Sequence, residues 1–179
     1  MGTATLVPLD VYLKTSYRPD CDYVDGEVLE RNMGETPHAR LQKFLLLLFA
    51  RHEDEWGVEA LPEQRVQVGP TRFRIPDLML AALPNLDDRI VRRPPLLCVE
   101  ILSSEDRMSK IQERVDDYAR MGVRVIWVID PWRGTAFAAG GDGKLQPVTE
   151  TLLVPGTPIQ VMVAEIFLEL ERLELRAKE

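Results

Sequence analysis

Residues 96–131 read LLCVEILSSEDRMSKIQERVDDYARMGVRVIWVIDP, and the reading of this stretch decides the fold. Positions 96–102 form an apolar run interrupted once, by Glu100. A central strand covered on both faces has this pattern, because neither face meets water. Ser109-Lys110-Ile111-Gln112 has the form of a capping box, and Ile111, Val115 and Tyr118 then recur at helical spacing before Gly122. A helix is therefore expected over 110–121. Positions 123–129 are a second buried run, closed by Asp130-Pro131. Strand, helix and strand in this order make a βαβ unit, so the two strands should run parallel with a right-handed crossover.

The flanking sequence adds elements around this unit. A short helix is expected over 9–14. Tyr23-Val24-Asp25-Gly26-Glu27-Val28-Leu29 is a hairpin, since Asp-Gly supplies the positive φ angles of a two-residue turn. Thr36-Pro37 opens a helix, with Thr36 capping and Pro37 in the first turn. Leu41, Phe44, Leu45, Leu48 and Phe49 follow at helical spacing, and Leu46 and Leu47 widen the stripe, which predicts a helix over 36–56 buried on most sides. Positions 65–68 and 72–75 flank Gly69-Pro70 as a hairpin, and Pro76-Asp77 leads into a strand over 78–81. Positions 85–95 are an Arg-rich polar loop, with short strands over 136–139 and 145–154. Val163, Ile166, Phe167 and Leu170 mark a C-terminal amphipathic helix. The expectation is a single α/β (α+β) domain over 1–179, a central mixed β-sheet flanked by the 36–56 and 110–121 helices.

Composition narrows the function. The 179 residues carry 22 Lys+Arg against 29 Asp+Glu, a formal net charge of −7, with 45% hydrophobic and 28% charged residues. That is the balance of a globular chain, and it excludes coating of nucleic acid or anionic lipid through bulk positive charge. The two cysteines, Cys21 and Cys98, make neither a metal cluster nor a disulfide framework. No secretory signal opens the chain, and the run from Phe44 to Ala50 is far short of the roughly 20 residues that span a bilayer. A reducing cytoplasmic location without membrane contact is expected.

Glu100 is the informative residue. A carboxylate inside Leu-Leu-Cys-Val-Glu-Ile-Leu is costly to bury unless it is paired, protonated or bound to a metal. A structural salt bridge is one reading. The other needs a second carboxylate on an adjacent strand, and Asp77, directly after Pro76 at a strand start, supplies it. Two hard oxygen ligands with open positions suit Mg²⁺ or Mn²⁺, which keep waters and accept a phosphate.

At this point the chain resembles a family. Arg74-Ile75-Pro76-Asp77-Leu78 followed by Leu97-Cys98-Val99-Glu100-Ile101-Leu102-Ser103 is similar to the PD-(D/E)XK nuclease superfamily, with its restriction endonuclease-like fold. More narrowly it resembles the Uma-two family of small bacterial proteins assigned as endonucleases. The supporting pieces are the Tyr23 hairpin, His38 opening a long helix, Asp106 with Lys110, and Tyr118 to Asp130 with its Gly-Val and Trp-Val-Ile-Asp-Pro pieces, over about 20–135. The resemblance implies that Asp77, Glu100 and the backbone carbonyl of Ile101 bind Mg²⁺ (or Mn²⁺). It further implies in-line hydrolysis of DNA phosphodiesters, leaving a 5′-phosphate.

The match departs from the superfamily at position 102. Alternation puts residue 102 on the face of Glu100, where the superfamily carries lysine, and here it is Leu102. By resemblance the lysine is displaced to the following helix, as Lys110, with Gln112 the second candidate. Lys110 pairing with Asp106 on a solvated helix face is the alternative. His38 is an auxiliary candidate or an ordinary histidine of a helix start. Glu63 is a possible third carboxylate or a surface charge. Asp130, Asp25, Asp87 and Asp88 read as turn and loop residues. Arg74, Arg89, Arg92 and Arg93, with Arg65 and Arg72 nearby, are candidates for a phosphate-binding rim. The expected function is a metal-dependent DNA endonuclease, with a catalytically inactive nuclease-fold binding or regulatory protein as the alternative. Leu168, Leu170, Leu173 and Leu175 on the last helix fit a homodimer contact.

Overall fold

A computed structural model describes residues 6–32, 34–83 and 89–178. Helix α1 (Leu9–Lys14) precedes a hairpin of β1 (Cys21–Val24) and β2 (Glu27–Glu30). The hairpin's turn residues Asp25 and Gly26 have φ of 50° and 101°, the left-handed values that a tight hairpin requires. Helix α2 (Thr36–Ala50) starts as expected but is capped at Glu35, with no side-chain cap bond from Thr36. It stops at Ala50 instead of running to position 56, and α3 (Glu53–Trp56) is a separate turn closed by Gly57 in the left-handed conformation. Its apolar width also overstates its burial. His38, Leu41, Leu45 and Phe49 face inward while Leu47 is exposed, so one face is buried and not most sides.

Strand β3 (Val58–Pro62) has no counterpart in the sequence reading. It is followed by β4 (Val66–Gly69), β5 (Arg72–Arg74), β6 (Leu78–Ala82) and β7 (Leu97–Ile101). Asp87 and Asp88 lie outside the described residues. Helix α4 (Met108–Met121) begins before Ser109, with Arg107 as N-cap, so no capping box forms there. The segment ahead of it is braced by Asp106, whose Oδ2 accepts the Ser103 backbone N–H at 2.7 Å and its hydroxyl at 2.9 Å. Helix α4 ends at Gly122, with φ 99°. Then come β8 (Val125–Asp130), β9 (Thr135–Ala139), β10 (Gln146–Val148), β11 (Thr151–Leu153), β12 (Gln160–Met162) and α5 (Val163–Arg176).

The central sheet has six strands in the order β10-β9-β8-β7-β6-β3, with β7 and β8 parallel and the other pairs antiparallel. It is the mixed sheet expected, built on the βαβ unit. The β4–β5 hairpin belongs elsewhere: it joins β1 and β2 in a second, four-stranded antiparallel sheet, ordered β2-β1-β5-β4.

Alternation along the central strands feeds two cores. Leu78, Leu80, Leu97, Val99, Trp127 and Ile129 pack with α2 and α5 on one side. Met79, Cys98, Leu102, Ile126 and Val128 pack with Ile111, Val115 and Tyr118 of α4 on the other. Leu102 is thus a packing residue, and Cys98 a buried free thiol. Strands β7 and β8 are buried at every position, which is why both read as unbroken apolar runs.

Candidate active site

The β6–β7 register ends with Leu78 opposite Val99, so Asp77, just before β6, adjoins Glu100 on β7. By the period of two, both side chains share the α4 side of the sheet. Asp77 is 2% and Glu100 3% exposed. Both line a cavity of about 380 Å³ that is also bounded by Arg31 after β2, His38 in the first turn of α2, and Lys110 and Arg114 on α4. The structure thus brings together the two acids singled out in the sequence, with residues of α2 and α4 around them.

Each carboxylate has partners. Asp77 Oδ1 accepts a hydrogen bond from Arg31 Nη2 and lies 3.3 Å from His38 Nε2, while Oδ2 accepts the Ile101 backbone N–H at 2.7 Å. Its backbone carbonyl accepts from Gln42 Nε2 at 2.8 Å. Burial would raise the pKa of Asp77, but the His38 hydrogen bond and the Arg31 charge outweigh it and hold it below the usual value. For His38 burial works against the charged form, and the Asp77 contact overcomes it, so its pKa is raised.

Glu100 titrates differently. Tyr118 donates its hydroxyl to Oε1 at 2.6 Å. Arg114 Nε stands 3.1 Å from Oε2 without the alignment of a hydrogen bond. Burial pushes the Glu100 carboxyl up to about 7, with Arg114 opposing and Asp77 adding to the rise. The pair is thus one firmly ionised carboxylate beside one that is ready to take or lose a proton near neutrality.

A network of alternating charge runs below the site. Arg114 donates to Asp22 Oδ2 at 2.9 Å and to the Ile75 carbonyl at 2.7 Å. Asp22 also accepts from Arg74 Nη1, and Arg74 Nε donates to Asp117 Oδ2 at 2.7 Å. Arg72 closes the chain on Asp117 with two 3.0 Å bonds. Arg74 is 3% exposed, so it belongs to the framework and not to a phosphate-binding rim. Arg89, Arg92 and Arg93 are exposed but do not line the cavity.

Other candidates also separate. Lys110 reaches the cavity rim, largely exposed, and pairs with Glu113 at 3.1 Å. Its expected partner Asp106 bonds Ser103 and Asn32 instead. Gln112 points away from the site, bonding Asp116 and the Gly143 carbonyl. Glu63 is exposed and contributes no side chain to the cavity, although its backbone N–H reaches the Asp77 carbonyl at 3.3 Å. Asp130 caps the turn after β8, accepting from the backbone of Trp132 and Arg133, as expected of a turn residue.

Arg31, Arg114, Tyr118 and Asp22 were missed as site residues. Helical spacing carries a signal for two of them, because Lys110, Arg114 and Tyr118 succeed one another at i, i+4 on one face. For Arg31 no local pattern exists.

The residue types fit a divalent cation. Two hard carboxylates meet at one cavity, and Glu100 Oε2 lacks an aligned donor from the arginine beside it. In the structure both carboxylates carry protein partners, with Arg31 and His38 at Asp77 Oδ1 and Arg114 and Tyr118 at Glu100. Among the described residues no three His, Cys, Asp or Glu side chains gather as ligands.

Compared with known proteins, residues 11–165 match the family model Uma2, described as "Putative restriction endonuclease". The chain belongs to the Uma2 family. Membership supports a nuclease-like function, and the resemblance read from the Pro76-Asp77 and Glu100 segments points to the same family. The fold is shared with the crystal structure of a "putative nuclease belonging to DUF820" from Anabaena variabilis ATCC 29413. That structure is 19% identical with a TM-score of 0.81, covering 92% of this chain and 99% of that one. At that identity the likeness speaks for the fold, which is the restriction endonuclease-like architecture expected. No curated protein matches. No helix among the described residues is long and apolar enough to cross a membrane.

Proposed function

We propose that this Uma2 protein is a metal-dependent DNA endonuclease, with Asp77, Glu100 and the Ile101 carbonyl as the ligands of a Mg²⁺ or Mn²⁺ ion. The observation that carries the reading is the placement of two buried carboxylates, Asp77 just before β6 and Glu100 on the neighbouring β7, at the wall of one cavity. Such a cation, when bound, polarises a phosphate and lowers the pKa of a water. The chain's own residues do the rest. Ile101 N–H and His38 orient Asp77. Tyr118 and Arg114 hold Glu100 in place. Lys110, on the rim of the cavity, is the cation that meets charge developing on the scissile phosphate. The same reading takes the protein as a cytoplasmic homodimer. Leu168 and Leu175, each 64% exposed on α5, are the candidate contact, whereas Leu170 is buried within the protein itself.

A second reading rests on a specific observation. Both carboxylates face arginines and position 102 holds a buried leucine, as in a nuclease scaffold that binds without turnover. Cleavage of plasmid and single-stranded DNA with Mg²⁺ or Mn²⁺ separates the two. Activity abolished by Glu100→Ala and by EDTA is the expected result. Activity that survives Glu100→Ala sinks the mechanism, and metal-dependent DNA binding without cleavage by the unaltered protein supports the second reading.

A further inference from the structure

The metal-dependent reading needs a cation at a carboxylate that already has one. Resting on that reading, we propose that Arg31 is the exchangeable cation of the site. It neutralises Asp77 until a metal ion arrives, then turns its guanidinium to the phosphate of the nucleic acid.

The arginines around the cavity are held unequally. Arg114 is anchored at Asp22, at the Ile75 carbonyl and against Glu100, and Arg74 is clamped between Asp22 and Asp117. Neither leaves without opening the charge network beneath the sheet. Arg31 follows directly on β2 and lines the cavity, and among the described residues Asp77 is the one group its side chain bonds. Its side chain is 16% exposed against 3% for Asp77, so it reaches the carboxylate from the cavity side.

A carboxylate this buried requires an opposite charge, and a guanidinium or a divalent cation can each supply it. Both compete for Oδ1, the oxygen Arg31 occupies. When Arg31 leaves, Asp77 keeps the Ile101 N–H on Oδ2 and His38 Nε2 beside Oδ1, so the ligand stays oriented. The freed guanidinium remains in the same cavity as Lys110 and Arg107. Its planar fork matches two phosphate oxygens, a geometry an ammonium lacks. Metal entry and substrate capture are thereby coupled through one side chain, and the coupling has to act in both directions.

The test uses the full chain with Arg31→Met and Arg31→Lys, and three measurements. Calorimetric titration with Mn²⁺ alone should show Arg31→Met binding at least about tenfold tighter than the unaltered protein, the scale of one lost charge-assisted competitor. Fluorescence anisotropy of a 20-base-pair duplex in Ca²⁺ should show the same variant binding DNA several-fold more weakly. Arg31→Lys, which keeps the charge but not the fork, should also bind DNA more weakly. Loss of any positive charge beside the cavity would give the same opposite signs, so Arg31→Lys, which keeps the charge, and the arginine's own resonance separate exchange from a fixed charge. In the unaltered protein, the Arg31 Nε–H resonance, assigned by its loss in Arg31→Lys, should move on saturation with Mg²⁺. If Arg31→Met does not fold, that resonance decides, and an unmoved signal overturns the exchange. Equal or weaker Mn²⁺ binding by Arg31→Met, while the unaltered protein binds the ion, overturns the exchange and leaves the nuclease reading standing. Absence of Mn²⁺ binding in both overturns the two together.

Discussion

Glu100 illustrates how far a single position can be argued. It lies on a fully buried strand, with Tyr118 on one oxygen and Arg114 near the other. Burial, only partly offset by Arg114, pushes its carboxyl from the ordinary 4.5 to about 7. A raised acid stabilises the fold while it is protonated. In the metal-free protein its contribution is complete below pH 4.5 and is lost as the pH rises through about 7. The loss approaches 3 kcal/mol, as an order of magnitude. Glu100→Gln cannot ionise, so its stability relative to the unaltered protein should improve by about that amount between pH 5 and pH 8. Urea unfolding in EDTA at the two pH values measures it, and a gap independent of pH would contradict the assignment. The same group must ionise to hold a cation, so Mn²⁺ affinity should climb over the same interval. Glu100 was legible in the sequence through this cost of burial, since an acid amid aliphatic residues demands an explanation. Asp77 was legible as the second carboxylate that explanation needs, directly after Pro76 at a strand start. Arg31 was not legible, because its partner is 46 positions away and its neighbours in the chain carry no periodic pattern.

At the scale of elements, α4 carries three of the residues that face the cavity or Glu100. Lys110 stands at the cavity rim, Arg114 at the carboxylates and Tyr118 on Glu100, each one helical turn after the last. The two cations should therefore respond differently to removal. Lys110 is largely exposed and paired with Glu113, so Lys110→Ala should change stability by less than about 0.5 kcal/mol. It should nevertheless lower cleavage by about 10²-fold, the usual cost of losing one group that meets transition-state charge. Arg114→Ala removes the buried counter-charge of Glu100 and one of the two on Asp22, leaving Arg74, and should cost about 3–5 kcal/mol. Chemical denaturation and cleavage rates on the same preparations check both, and a stability loss in Lys110→Ala would place that side chain in the framework. The βαβ unit around this helix was readable because buried parallel strands are apolar throughout. Strand β3 escaped because Val58–Pro62 includes Glu59 and ends in proline, a weak strand signature whose pairing with β6 is a tertiary matter. The second sheet escaped for the same reason: β5 pairs with β1 across some 50 residues, and no local pattern specifies that partner.

At the scale of the whole molecule, a net charge of −7 must be reconciled with a polyanionic substrate. Part of the basic charge near the site is already engaged, with Arg72, Arg74 and Arg114 serving Asp117, Asp22 and Glu100. At the cavity, Lys110 and Arg107 remain at the rim, joined by Arg31 if it is released. Three cations on a chain of net charge −7 cannot hold a duplex by counterion release alone. Binding should therefore be negligible in EDTA and appear with Ca²⁺, which neutralises the carboxylates without requiring turnover. The affinity should fall only gently with salt. About three phosphate contacts correspond to a slope near −3 in log affinity against log salt, far from the slope near −10 of a protein that grips DNA through many cations. Anisotropy titrations of a 20-base-pair duplex at several salt concentrations, with and without Ca²⁺, give the slope directly. Tight binding in EDTA with a steep slope would mean that DNA contacts a basic surface away from this cavity, with the exposed Arg89, Arg92 and Arg93 the first place to look. A shallow, cation-dependent slope ties nucleic acid to the same few residues that hold the paired carboxylates, and makes the acidity of the chain a reason for its dependence on metal.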